Sequence, residues 1–480
     1  MKKEKKKIFV IVGAVVACLA VVYVGFGIFF QSHFCFGTTI DGIKAGGKSV
    51  EKVEQLITEE IDSYVLNLAE REDGSESISG ESIQIAPVFN GEVEELLNGQ
   101  NGFAWVVTLF KHDNLELAKV VTFDEDALDS QIDQLNCMQA SEQREPVDAT
   151  VSAYTADGYS LVPADYGTTI DKNTFKKAVE DSILVLADEL DLDEADCYVK
   201  PEIEDDNEKL LAVIDEMNSY VGTTITYDFD VAKEVLDGER ISEWLSVDDD
   251  LNLVVDEEGV LSFVKELASE YNTCYKPKEL KTSYGSTVTI SNGPYGWKIN
   301  NSEEVAQILD DLKAGKKVER EPVYAQTANS HGENDYGNSY VEINLTAQHL
   351  FLYKDGVLVT ESDFVSGNVA KGHATPGGAF MLTYKTLNAV LRGPDYETPV
   401  TYWMPFNGDI GMHDLTSRKA FGGDIYKTRG SHGCINLPYS AAKKIYETID
   451  KGYCVLVYNL PGTESDTVKQ KEATAVVNTI

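Results

Sequence analysis

From Ile8 to Phe30 the chain is an unbroken apolar run without a charged residue. About 20 such residues at a rise of ~1.5 Å each are enough to cross the hydrocarbon of a bilayer, so the run predicts a transmembrane helix over residues 8–30. Lys2, Lys3, Lys5, Lys6 and Lys7 crowd its N-terminal side, and His33 is the only titratable base close after it. The excess of lysine places residues 1–7 in the cytoplasm and everything after the run outside the cell membrane, as a single-pass protein. A cleaved signal peptide is the competing reading. The run exceeds a usual signal core, and no clear small-x-small triplet follows it.

Beyond the run the pattern changes to short alternating stretches. Phe36–Ile43 reads as a strand and turn, and Ser49–Ile61 carries helical spacing through Val50, Val53, Leu56 and Ile57, with Ser49 as N-cap. Two later segments, Tyr159–Asp171 and Val288–Asn300, resemble each other. Each runs strand, turn, Tyr-Gly and short strand, then enters an amphipathic helix, Asn173–Leu186 in the first case and Ser302–Leu312 in the second. Each helix has an apolar face that needs a sheet to cover it. The pattern therefore predicts two small α/β repeats over residues 31–325, divided near 205/206.

Gln326–Asn338 is polar, rich in turn formers and without an apolar period, which predicts a linker. A β-rich region follows, with strands expected at Tyr340–Leu345, Leu350–Tyr353, Val357–Val365 and Ala379–Lys385, and a turn at Lys354-Asp355-Gly356. A helix at Tyr439–Thr448 and a strand at Cys454–Tyr458 close a domain over residues 339–460, and residues 461–480 read as a tail. The predicted class is α+β multidomain: a transmembrane helix, two α/β repeat domains and a C-terminal β-rich domain.

Composition sharpens this in two places. The net charge is -39, and acids and bases cancel between Ser339 and Leu460, so the excess lies upstream. Such a chain is a poor partner for nucleic acid. Seven cysteines are scattered without a Cys-x-x-Cys pair, which fits neither a zinc ribbon nor a disulfide scaffold. Cys454, inside a continuous apolar strand, reads as core.

Chemistry concentrates in Gly411-Met412-His413-Asp414 and Arg429-Gly430-Ser431-His432-Gly433-Cys434-Ile435-Asn436. A thiol attacks a carbonyl as thiolate, and with an unperturbed pKa of about 8.5 it needs an imidazole or oriented amides to react at neutral pH. His413 is the base this spacing offers. Gly430 and Gly433 allow a sharp turn in which amides at Gly433 and Cys434 point at a developing oxyanion. A zinc site built from His413, His432 and Cys434 is the weaker alternative, because catalytic zinc wants three converging protein ligands and a water.

Ser431-His432-Gly433-Cys434 with His413 upstream, and Ala374-Thr375-Pro376-Gly377-Gly378-Ala379-Phe380, resemble the L,D-transpeptidase (YkuD-type) catalytic domain. The repeats, through Tyr-Gly followed by Ile-Asp or Ile-Asn, resemble the peptidoglycan-binding-like units found ahead of such domains. The resemblance implies Cys434 as acylated nucleophile and His413 as proton acceptor and donor, oriented by the backbone carbonyl of Asp414. His432, Ser431 and Gly433 would shape the acyl pocket. It implies cofactor-free transfer of a tetrapeptide stem of peptidoglycan to the amine of a neighbouring stem, forming a 3-3 cross-link in the cell wall. Asn436 stands where many members carry Arg, and Arg429 or Arg392 is the expected substitute. Tyr402, Trp403, Met404 and Phe406 are either groove or core. An L,D-carboxypeptidase and a non-catalytic wall-binding anchor are the alternatives.

Overall fold

The computed structural model describes residues 2–117, 121–332, 334–393 and 396–464. It divides into two units: Met1–Val151 with Leu161–Asn207, and Ser152–Ser160 with Glu208–Ile480. Residues 465–480 of the expected tail lie outside the described residues.

The first unit opens with the helix Lys2–Phe29, which is long and apolar enough to cross a membrane by length and composition. Ser49 caps the helix Val50–Asp62 by accepting the Lys52 N–H, and the helix buries Val53, Ile57 and Ile61. These pack on a three-stranded sheet in which Val65–Ala69 pairs antiparallel with Ser75–Ser79 and parallel with Glu189–Asp191. The helix expected from Asn173 spans Lys172–Leu184, capped by Asp171, and puts Phe175, Val179 and Ile183 into the same core. The boundary near 205/206 needs one refinement. Tyr159 belongs with the second unit, because its backbone N–H and C=O are both bonded by the side chain of Asn218.

In the second unit, the helices Glu208–Val221, Glu257–Tyr271 and Asn301–Lys313 surround a sheet of Thr224–Asp228, Lys233–Leu236 and Lys317–Arg320. Tyr227, Phe229, Trp244, Phe263 and Ile308 fill the core between them.

Among its described residues the β-rich region contains nine strands: β1 Tyr340–Asn344, β2 His349–Lys354, β3 Val357–Asp363, β4 Gly378–Met381, β5 Thr386–Gly393, β6 Tyr396–Asn407, β7 Ile410–Asp414, β8 Ile435–Leu437 and β9 Cys454–Tyr458. One sheet has the order β3-β2-β1-β9-β4 and the other β5-β6-β7-β8. Every residue of β9 is buried because both of its faces are covered. Val455 and Val457 face the core shared with the second sheet and the helix Tyr439–Thr448, while Cys454, Leu456 and Tyr458 face a separate core.

That separate core overturns the linker at 326–338. Tyr336 is buried beside Tyr295, Leu280 and Leu456, and Asp335 forms a buried ion pair with Lys278 at 2.5 Å. The Trp297 indole donates to the Ser330 carbonyl and stacks on His331. Asp335, although charged, is buried and paired inside the protein, which a hydropathy pattern cannot distinguish from solvation. The hairpin β5–β6, which the alternation did not predict, carries the 402–406 patch. All four of its named side chains are buried, so the patch is core.

Candidate active site

Strands β7 and β8 are parallel neighbours, with Met412 opposite Ile435, His413 opposite Asn436 and Asp414 opposite Leu437. Parallel pairing needs a crossover of a dozen residues or more. Residues 415–434, with a short helix at Ile425–Arg429, supply it. Cys434 ends this crossover and leads into β8. Cys434, His413, His432, Ser431, Asn436 and Arg418 are among the residues lining one cavity of ≈ 200 Å³.

The turn before Cys434 is held from several sides. Gly433 has φ +128, a conformation L side chains rarely adopt. Its N–H donates to Ser431 Oγ at 3.0 Å, and that hydroxyl donates to the Cys434 carbonyl at 2.6 Å. Thr375 Oγ1 donates to the Gly433 carbonyl at 2.6 Å and accepts the Gly367 N–H, tying the Thr-Pro-Gly-Gly motif to the turn. The Gly433 amide is therefore already engaged, unlike the free oxyanion donor expected from sequence. Among the described residues the Cys434 amide makes no such bond.

His413 is almost fully buried, and its Nδ1 lies 2.9 Å from the Asp414 carbonyl oxygen. A proton on Nδ1 donated to that carbonyl leaves Nε2 as the lone-pair nitrogen. Burial pushes the imidazole below its ordinary value, only partly opposed by the Asp414 carbonyl and carboxylate. Asp414 Oδ1 accepts the N–H groups of Thr401 and Tyr402, so the carboxylate braces β6.

Burial pushes the Cys434 thiol up, the Gly411 N–H pulls it down, and the Asp409 charge raises it. The thiol lies 3.5 Å from the Asp409 carbonyl, to which it donates. Burial thus favours the uncharged form of both the Cys434 thiol and the His413 imidazole.

The His432 ring stacks on Tyr396 with centroids 4.5 Å apart and lies 4.8 Å from the His373 ring, forming an aromatic wall. Position 436 carries a buried amide whose Oδ1 has no partner among the described residues. Arg392 is exposed and paired with Glu397. Arg418, not singled out by any motif, reaches the cavity, with Nε buried and unpartnered among the described residues. Burial and the neighbouring Arg429 both disfavour its charge. Arg418, Lys419 and Arg429 line an adjoining cavity of ≈ 460 Å³ without a carboxylate. Tyr396, Thr375 and Arg418 lie 38, 59 and 16 residues from Cys434 in the chain, so only the fold assembles them.

The YkuD family, described as the L,D-transpeptidase catalytic domain, matches residues 338–457, and a peptidoglycan binding domain family matches residues 206–320. A cysteine-to-serine variant of an Enterococcus faecium L,D-transpeptidase is 33% identical over 51% of this chain and 99% of its own, with a TM-score of 0.43. An avibactam carbamoyl enzyme, Ldtfm, is 33% identical over 52% and 98%, with a TM-score of 0.44. The E. faecium L,D-transpeptidase catalytic domain acylated by ertapenem is 43% identical over 25% and 97%, with a TM-score of 0.24. No curated protein matches.

Proposed function

The chain belongs to the L,D-transpeptidase family, and from that membership we propose that it forms 3-3 cross-links in peptidoglycan through an acyl-enzyme on Cys434. Cys434 Sγ attacks the carbonyl of the third stem residue as His413 Nε2 takes the thiol proton. The carbonyl C–N bond then breaks, and the proton passes to the departing D-Ala amine. An amine of a second stem attacks the thioester and gives up a proton to His413; the carbonyl C–S bond breaks, and His413 returns that proton to the departing sulfur, restoring the thiol. The single observation that carries this reading is the parallel register of β7 and β8, which brings His413 and Cys434 to one cavity with His413 Nδ1 occupied by a backbone carbonyl.

The Cys434 N–H is the oxyanion donor in this scheme, and Ser431 and Gly433 fix the turn that aims it. His432 forms the pocket wall. Asp414 acts through its carbonyl on His413 and through its carboxylate on β6. Arg418 supplies the guanidinium missing at position 436: a carboxylate one residue beyond the scissile carbonyl, ~3.3–3.6 Å of extended chain away, falls within a cavity this small. The Lys2–Phe29 helix anchors the chain in the cell membrane, with the catalytic part outside and the 206–320 domain engaging the wall.

The test is intact-mass analysis with a synthetic tetrapeptide stem. An adduct equal to the stem less D-Ala, lost in Cys434→Ala, supports the scheme. Cross-linked product identifies transfer, whereas tripeptide alone identifies a carboxypeptidase. An unchanged mass in the wild type leaves the wall-binding reading. Ertapenem, which acylates the E. faecium domain, serves as a second probe of the same thiol.

A further inference from the structure

The C-terminal end of the Lys2–Phe29 helix carries a companion. Gly102–Ala104 and Trp105–Thr108 form two helical turns packed against it. The Tyr23 hydroxyl donates to the Phe103 carbonyl at 2.8 Å, and the Trp105 indole N–H donates to the Tyr23 carbonyl at 3.1 Å. The Trp105 ring lies 4.9 Å from Phe26. Gly27 permits the approach, because a Cβ there would come within 2.3 Å of the Phe103 ring.

The far side of the segment is apolar and open. Phe110 is 88% exposed and Val107 61%, with Leu109, Val106 and Phe103 also exposed. Residues 102–110 contain no charge, in a chain whose net charge is -39. Contiguous apolar surface of this kind marks an interaction site. The neighbouring helix identifies the partner. A side chain bonded to Tyr23 shares its depth, and Tyr23 lies six residues before Phe29, about 9 Å along a helix axis. In a spanning helix that level is the outer margin of the bilayer, where tryptophan and tyrosine concentrate. Local backbone bonds of the kind lipid demands are present at both ends of the segment, where Ala104 donates to the Asn101 carbonyl and Phe110 and Lys111 donate to the Val107 carbonyl.

We propose that residues 102–110 form a second membrane-contacting element, an apolar wedge inserted into the outer leaflet beside the anchor helix, with the lipid bilayer as its occupant. The proposal rests on reading Lys2–Phe29 as a membrane span. The wedge fixes the first folded unit to the membrane surface at two points instead of one.

The test reconstitutes the full chain into vesicles of phosphatidylcholine and phosphatidylglycerol whose acyl chains carry bromine near the headgroup end. The chain has four tryptophans, and Trp244, Trp297 and Trp403 are buried in the second unit. Quenching by bromolipid is therefore expected from Trp105 and should disappear in Trp105→Phe while flotation with vesicles persists. Val107→Ser/Leu109→Ser/Phe110→Ser, which keeps Trp105, should reduce the quenched fraction at least twofold with flotation intact. Equal quenching in wild type and Trp105→Phe overturns the wedge and leaves the span. Failure of the wild type to float removes the span and the wedge together. A detergent-stable dimer lost in the triple variant, with no lipid quenching, assigns the patch to a second copy and also overturns the proposal.

Discussion

Cys434 and Cys137 both line cavities, one in each unit, yet different side chains share them. The thiol at 434 shares its cavity with the buried His413 imidazole and with Arg418; the Gly411 N–H lowers its pKa and the Asp409 charge raises it. The thiol at 137 sits with Glu70 and Glu76, and burial followed by those two carboxylates drives its pKa strongly upward. Cys137 also spends its N–H on Glu76 Oε1 at 2.8 Å. Burial raises both thiols. What separates them is the imidazole: His413 lines the Cys434 cavity, whereas Glu70, Glu72 and Glu142 share the Cys137 cavity with Arg71 and Arg144. Reactivity here is a property of the neighbours.

The sharpest break of that comparison is Cys434→Ala, which should abolish the ertapenem or stem adduct completely, while Cys137→Ala should leave acylation within about twofold of wild type, as expected for a residue outside the chemistry. Intact mass after a timed incubation reads both, and an adduct surviving at Cys137 would reverse the assignment. Next in size, His413→Ala should slow acylation by about 10²–10⁴-fold, the usual contribution of a positioned base. The fold is checked by retained thermal unfolding.

A pH series refines the role of that histidine. Because burial holds His413 below the ordinary imidazole value of about 6.5, the wild-type acylation rate should be flat through neutrality and fall only at lower pH. His413→Ala should instead climb continuously past pH about 8.5, following direct ionisation of a thiol that burial has raised. Coincident profiles would show that His413 is not the base. A smaller loss than that of His413→Ala is expected for Arg418→Ala: about a tenfold to hundredfold loss in kcat/KM for stems with a free terminal carboxylate, the scale of a charge-assisted hydrogen bond. A stem whose terminal carboxylate is amidated should lose little further, and equal losses on both stems would remove Arg418 from carboxylate recognition.

Much of this was legible locally. The apolar run at 8–30, the Ser49 cap, the helix at Tyr439–Thr448 and the strand at Cys454–Tyr458 follow from composition and period within short windows. The glycine-flanked Ser-His-Gly-Cys turn is legible for the same reason, since a positive φ at Gly433 restricts residue type at one position. The hairpin β5–β6 was not, because no residue of β5 is buried while β6 passes from an alternating outer half to a fully buried inner stretch, which breaks the alternation into unlike pieces. The supposed linker failed for a related reason. Asp335, 2% exposed, looks solvated in sequence until Lys278, 57 residues away, is placed against it.

Sequence alone settled which atoms can do chemistry: a thiol, imidazoles and flexible turns are fixed by residue identity, and so is an apolar stretch long enough to span a bilayer. Tertiary structure alone decided which of them meet and with what charge around them. The parallel register of two strands set His413 beside the Cys434 cavity, Thr375 and Ser431 bound the turn, and Arg418 arrived from a crossover with no motif. The physical reason is that desolvation and Coulomb energy depend on distance through the folded protein, and strand pairing makes that distance independent of separation along the chain.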